Sequence, residues 1–178
     1  MRRMYSLPGQ VVYLAGPMSG LPFDVCRAWR DTATTALQAL RDPRTKEPLY
    51  HVLNPLRGNE TFAGKVFSAS GGFDDDSAAK VDIRRDRYDV LRAHIILANL
   101  EDAEKIGKVS IGTLYEIVWA NEAEKFIIVV MGRANPHWHS FVRDSASLIV
   151  PDLSTALDYM SSTLNVSEIG DADALHQA

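Results

Sequence analysis

The chain has 178 residues, 46% apolar and 24% charged, the balance of a globular domain able to bury a core without disulfides or metals. A formal charge of −4 and a pI near 5.7 argue against a nucleic-acid polymer or an anionic membrane as partner, and no apolar run approaches the roughly 18 residues of a membrane span. The single cysteine, Cys26, excludes an internal disulfide, and the opening MRRMYSLPGQ carries no apolar stretch of signal-peptide length, so a reducing, cytoplasmic location is expected.

Gln10 to Ala15, QVVYLA, is apolar and β-branched and ends at Gly16-Pro17, which predicts a buried strand stopping at a turn. From Asp24 to Leu40 the apolar residues fall at 25, 28, 29, 33, 36, 37 and 40, the spacing of an amphipathic helix that Asp24 is placed to cap. A polar turn, RDPRTKEP, leads to a short second strand over Leu49 to Pro55. Residues 56–79, including SASGGFDDDSAAK, show no periodicity and read as a long functional or mobile loop whose acidic triplet, Asp74-Asp75-Asp76, is solvated.

Val81 to Ala93 is the next predicted helix, and HIILANL (His94 to Leu100) a third strand, apolar throughout as strands covered on both faces are. A polar loop follows, then a helix from about Thr113 to Glu124, a fourth strand over Phe126 to Met131, a fifth over Ser147 to Asp152 and a last helix over Leu153 to Leu164. The polar residues 165–178 are expected to form a flexible tail. The chain thus reads as one domain, 1–164, without internal repeats.

Strands alternating with helices predict an α/β protein: a three-layer α/β/α sandwich around a five-stranded parallel sheet. The doubly wound order 2-1-3-4-5 fits, and its switch point lies between strands 1 and 3, where ligands bind at the carboxyl ends. That places the turn AGPMSG beside the loop leading into SIGTLYEI (Ser110 to Ile117). Glu116 then has two readings. It can pair with Thr113 in a capping box, each side chain satisfying a free N–H at the helix start, or it can face the crevice. The topology favours the crevice, because a cap needs no such convergence.

Three segments, YLAGPMSG (Tyr13 to Gly20), RRDRYDVLRAHIILANL (Arg84 to Leu100) and SIGTLYEIVWA (Ser110 to Ala120), together resemble the nucleoside 2-deoxyribosyltransferase superfamily, which includes deoxynucleoside 5′-monophosphate N-glycosidases. The resemblance runs from Val11 to about Met160, with 56–79 as an insertion, and implies a flavodoxin-like fold. It also implies cleavage of an N-glycosidic bond, with the sugar passed to another base or to water, and no cofactor or metal. By this match Glu116 is the nucleophile of the G-x-x-x-E segment that Gly112 opens, Asp86 acts on the base or sugar, and Tyr13 is the aromatic group beside the nucleophile. Gly16 lets substrate approach the backbone, and Ser19 and Ser110 are donors to the substrate.

The chemistry agrees with such residues. Breaking the bond builds oxocarbenium character that a carboxylate can capture, and a second acid can serve the departing base. The N–H groups of a helix start would favour an ionised Glu116. On the residues alone, Asp86 reads rather as an exposed charge paired with Arg84, Arg85 or Arg87, and Ser110 is equally a helix-start serine. The resemblance reads Ser110 as a phosphate-compatible replacement for an aspartate, since a hydroxyl can donate to an anion that a carboxylate would repel. Pro17 and Met18 stand where phosphate-binding members are more polar.

The segment PHWHSFVRDSA (Pro136 to Ala146) matches one that reaches a neighbouring subunit's site, so His139, Ser140 or Arg143 is expected to touch substrate in a homodimer or higher homo-oligomer. His137 and His139 lack further ligands for a structural zinc site, while Trp29, Trp138 and Cys26 are expected to pack. The substrate is a nucleoside or its 5′-monophosphate; the alternative is a non-catalytic nucleotide-binding or sequestering module of the same fold.

Overall fold

The computed structural model describes residues 9–43, 45–58, 63–68 and 76–162. The opening segment, Asp74 and Asp75 of the acidic triplet, and the 165–178 tail lie outside the described residues. The elements are β1 (Gln10–Ala15), α1 (Phe23–Ala39), β2 (Tyr50–Leu53), α2 (Asp76–Arg92), β3 (Ile95–Asn99), α3 (Glu101–Ile106), α4 (Ile111–Glu122), β4 (Phe126–Val130), α5 (Ser140–Ser145), β5 (Leu148–Val150) and α6 (Leu153–Ser162). The five strands pair in parallel in the order β2-β1-β3-β4-β5, as expected.

Side-chain alternation along β1 divides the core between the two faces of the sheet. Val12 and Leu14 pack with Ala33, Leu37, Leu97 and Met160 beneath α1 and α6. Tyr13 and Ala15 point the other way and pack with Ile96, Ala98, Ile117 and Ala120, beneath α2 and α4. β3 is buried at every position, which explains its unbroken apolar run. Tyr13 pairs with Ile96 of β3, so the two central strands end together at the switch point.

Several boundaries differ from the sequence reading. α1 starts at Phe23 after Pro22, which makes no side-chain cap bond. Asp24 therefore sits in the first turn, where its charge complements the free N–H groups. α2 begins at Asp76 instead of Val81, because its first turn is polar and leaves no apolar signal. The expected loop after β3 contains α3, a short helix led by Glu101, Asp102 and Glu104 and stopped by Gly107 at φ 63°. A second short helix, α5, follows β4 and is capped by His139.

Part of the 56–79 segment is a built strap over the turn after β1. Phe67 N–H donates to the Leu21 carbonyl at 3.0 Å, Gly20 N–H to the Phe67 carbonyl at 3.0 Å and Phe23 N–H to the Lys65 carbonyl at 2.8 Å. The Phe67 ring, buried, stacks on Phe23 at 6.1 Å between centroids and closes a cluster with Leu21, Cys26 and Leu56. The strap ties the turn after β1 to residues 65–67.

Phe67→Ala is accordingly expected to lower unfolding free energy by about 3 kcal/mol in chemical denaturation. The Gly20 amide should lose hydrogen-exchange protection beyond that global change, because its acceptor is the Phe67 carbonyl.

Candidate active site

The site begins with how α4 starts. Ser110 is its N-cap: the Ser110 Oγ accepts from Thr113 N–H at 3.4 Å and lies 2.9 Å from Thr113 Oγ1. The helix therefore begins before the expected Thr113, and the Thr113–Glu116 capping box does not form. Glu116 falls a full turn further in, on the buried stripe it shares with Thr113, Ile117 and Ala120. That stripe faces the sheet, so the side chain is turned inward and the residue is only 6% exposed.

Tyr13, fully buried on β1, donates its hydroxyl to Glu116 Oε1 at 2.7 Å. Asp86, on α2, has a side chain 15% exposed and lies 3.7 Å from Arg85 Nε, so the ion pair suggested by the arginine-rich sequence exists. Its negative charge nevertheless acts on both Tyr13 and Glu116. Tyr13 on β1 and Glu116 on α4 are thus in contact, and Asp86 on α2 is near enough for its charge to bear on both.

Burial raises the Glu116 carboxyl to about 8, and the charge of Asp86 pushes in the same direction. The Tyr13 hydrogen bond and the positive charge of Arg30 pull it down without reversing the effect. Burial likewise holds the Tyr13 phenol well above its usual value, with Glu116 and Asp86 adding to it. The helix-start N–H groups expected to keep Glu116 ionised are a turn away, and one is taken by Ser110. At neutral pH the free protein holds this carboxyl mainly protonated.

Other expected site residues are placed as follows. A Cβ on Gly16 would lie 2.7 Å from Trp29 Cζ2 and 2.8 Å from the Asn99 carbonyl, so the close packing of the β1 turn against β3 and α1 itself demands glycine there. Ser19 is exposed beyond that turn, and Gly112 is exposed in the first turn of α4. His139 is exposed and accepts from Phe141 N–H at 3.3 Å, and Ser140 is exposed beside it. No hydrogen bond joins His139 or Ser140 to Tyr13, Asp86 or Glu116 among the described residues. Trp29 packs against the α1-side core, and Trp138 packs beside Val142 on the other face.

Two supports escaped the sequence reading. Arg30 is fully buried on α1 and is held by backbone carbonyls at the end of β1. Its place on the Cys26–Ala33–Leu37 stripe, an arginine at a core-facing position, was the available signal. The second support is a relay. Asn135 Nδ2 donates to the Leu100 carbonyl at 2.8 Å, Asn135 Oδ1 accepts from His137 N–H at 3.0 Å, and Ser110 N–H donates to His137 Nε2 at 2.8 Å. The relay ties the end of β3 to the start of α4. Nδ1 of His137 lies 3.0 Å from Asn135 Oδ1, so both ring nitrogens are engaged within the protein and neither is turned out as a metal ligand. Burial pushes this imidazole down, in keeping with the lone pair that Ser110 N–H needs.

No protein-family model and no curated protein matches the chain. Among solved structures, it is similar to a 2-deoxyribosyltransferase from Bacillus psychrosaccharolyticus, with a TM-score of 0.55 and 15% identity over 86% of this chain and 95% of that one. It is also similar to a CMP N-glycosidase from Clostridium botulinum, with a TM-score of 0.49 and 15% identity over 85% of this chain and 98% of that one. A molybdenum cofactor binding protein from Rippkaea orientalis matches with a TM-score of 0.48 and 13% identity over 88% of this chain and 98% of that one. The first of these likenesses establishes a shared fold: the flavodoxin-like α/β architecture with the order 2-1-3-4-5.

A carboxyl that titrates near 4.5 when unfolded and near 8 when folded contributes stability below pH 4.5, lost as pH rises to about 8. Glu116→Gln removes that dependence. The variant is expected to match the parent near pH 4 and to exceed it at pH 8.5 by on the order of 3–5 kcal/mol, read from thermal or chemical unfolding at both values. A variant no more stable than the parent at alkaline pH would show that the carboxyl is not strained by burial.

Proposed function

We propose that the chain cleaves the N-glycosidic bond of a (deoxy)nucleoside or its 5′-monophosphate, with Glu116 as nucleophile, and passes the sugar to another base or to water. The observation that carries this reading is the buried Tyr13–Glu116 hydrogen bond, 2.7 Å long and under the influence of Asp86, at the switch point of the sheet. An isolated structural carboxyl has no need of that company. The sequence resemblance and the fold shared with a 2-deoxyribosyltransferase point to the same chemistry.

In the proposed course, the ionised Glu116 attacks C1′ as the bond to the base nitrogen breaks. The bonding electron pair leaves with the base, and Asp86 serves that base by delivering or steering a proton to it. The ester to Glu116 is then opened by a second base or by water, whose proton returns to Asp86, and the carboxylate is restored. Tyr13 donates to Oε1 and holds the other oxygen in line for attack, while its hydrogen bond stabilises the charged form. The exposed first turn of α4, where Gly112 lies, offers N–H groups suited to an anionic substituent such as a 5′-phosphate. His139 and Ser140, exposed on α5, suit contact with substrate across a homo-oligomer interface.

The direct test is release of free base from a panel of deoxynucleosides, ribonucleosides and their 5′-monophosphates, with and without a second base. Glu116→Ala is expected to lower release by about three orders of magnitude or more while remaining folded. Undiminished release would overturn the mechanism, and binding across the panel without any release would favour the sequestering module instead.

Because the ionised form attacks, kcat/KM is expected to rise with pH and level off above about 8, following the Glu116 carboxyl. Tyr13→Phe removes a hydrogen bond that lowers this group, so the rising limb should move to higher pH by about one unit or more. A limb that stays in place would remove Tyr13 from the site's acid–base chemistry.

A further inference from the structure

We propose that Arg30 is a positioning residue for this site: its buried guanidinium clamps the carboxyl end of β1 and sets a fixed positive charge behind the Tyr13–Glu116 pair. The inference rests on reading Glu116 as the nucleophile, and concerns what keeps that group usable.

The geometry is unusual for an arginine. Arg30 is fully buried, and its partners are neutral: Nη1 donates to the Cys26 carbonyl at 2.7 Å, Nη2 to the Gly16 carbonyl at 2.9 Å and Nε to the Leu14 carbonyl at 3.4 Å. The Trp29 ring covers the guanidinium at 4.4 Å. Among the described residues, no carboxylate forms an ion pair with it. Buried charges are ordinarily paired, since an unpaired one is costly. Here the donors are satisfied by carbonyls, whose partial charges steady the cation without cancelling it.

The location gives the charge its use. Leu14 and Gly16 flank the last residue of β1, and β2 ends opposite Tyr13, so the strand's final carbonyls lie beyond its edge partner. Arg30 takes up two of them and fixes the turn whose packing already demands glycine at position 16. The groups that feel its charge come from every element around the site: Cys26 on α1 itself, Tyr13 on β1, Asp86 on α2 and Glu116 on α4. Its influence on Glu116 opposes burial and Asp86. A cation held in place by backbone stabilises the developing carboxylate with no reorganisation when the proton leaves.

Two variants separate charge from hydrogen bonding. Arg30→Lys keeps the charge and loses the fork; Arg30→Gln keeps amide donors and loses the charge. The readout is the titration of the Glu116 carboxyl in ligand-free protein, by NMR of 13C-carboxyl-labelled glutamate between pH 5 and 10, with Glu116→Gln assigning the signal. Arg30→Gln is expected to move the midpoint up by on the order of one pH unit, and Arg30→Lys to leave it near the parent value. The rising limb of kcat/KM should follow the same order. An unmoved midpoint in folded Arg30→Gln overturns the proposal. If Arg30→Gln does not fold, an Arg30→Lys midpoint displaced upward by a full unit overturns it, and one held at the parent value supports it. The titration is independent of turnover, so a parent protein that releases no base would refute the enzymatic reading and leave this electrostatic one standing on its own measurement.

Discussion

Glu116, a buried residue only 6% exposed, has a carboxyl that loses nearly all hydration, and the groups around it respond to that loss. Tyr13 replaces one water with a fixed donor. Arg30 offsets part of the electrostatic cost from behind the strand, while Asp86 adds to it from α2. A structural role would be served better by an amide or an aliphatic side chain at this position. Under the proposed function, the carboxyl is kept dry until a substrate's developing positive charge reaches it, when low local polarity strengthens the attraction between them.

The sheet makes this convergence possible. Because strands β1 and β3 end side by side and side chains alternate, Tyr13 and α4 share one face, while Arg30 must reach around the strand end from the other. The strap at 63–68 and the Asn135–His137–Ser110 relay act on different elements of the site. One fixes the turn after β1, and the other fixes the start of α4 against the end of β3. These two sets of hydrogen bonds fix the elements that carry the phenol and the carboxyl.

What was legible in the chain follows from how each feature is encoded. Strands such as HIILANL announce themselves because full burial demands an unbroken apolar run. The order of the strands followed from alternation with helices, and the switch point then selected the neighbourhood of Glu116. Helices α3 and α5 were invisible because six residues are too few to show a helical period. The start of α4 was misplaced because Ser110 and Thr113 are both competent caps, and only the structure shows which one is used. Glu116 could be singled out from the topology, whereas Tyr13 and Asp86 were named through the family resemblance. The supporting roles of Arg30 and His137 were missed: the partners are carbonyls and amides that any sequence would supply, and the one signal was an arginine at a core-facing position of α1.

The inward carboxyl at position 116 has a bearing on how such a protein would drift through generations. Selection for robustness alone would discard it, since a neutral replacement relieves the fold of a liability at ordinary pH. A lineage that had abandoned chemistry would therefore be expected to shed the acid early and keep the surrounding architecture. Under the proposed function, the acid is a weakness in the fold that its chemistry would require the molecule to keep.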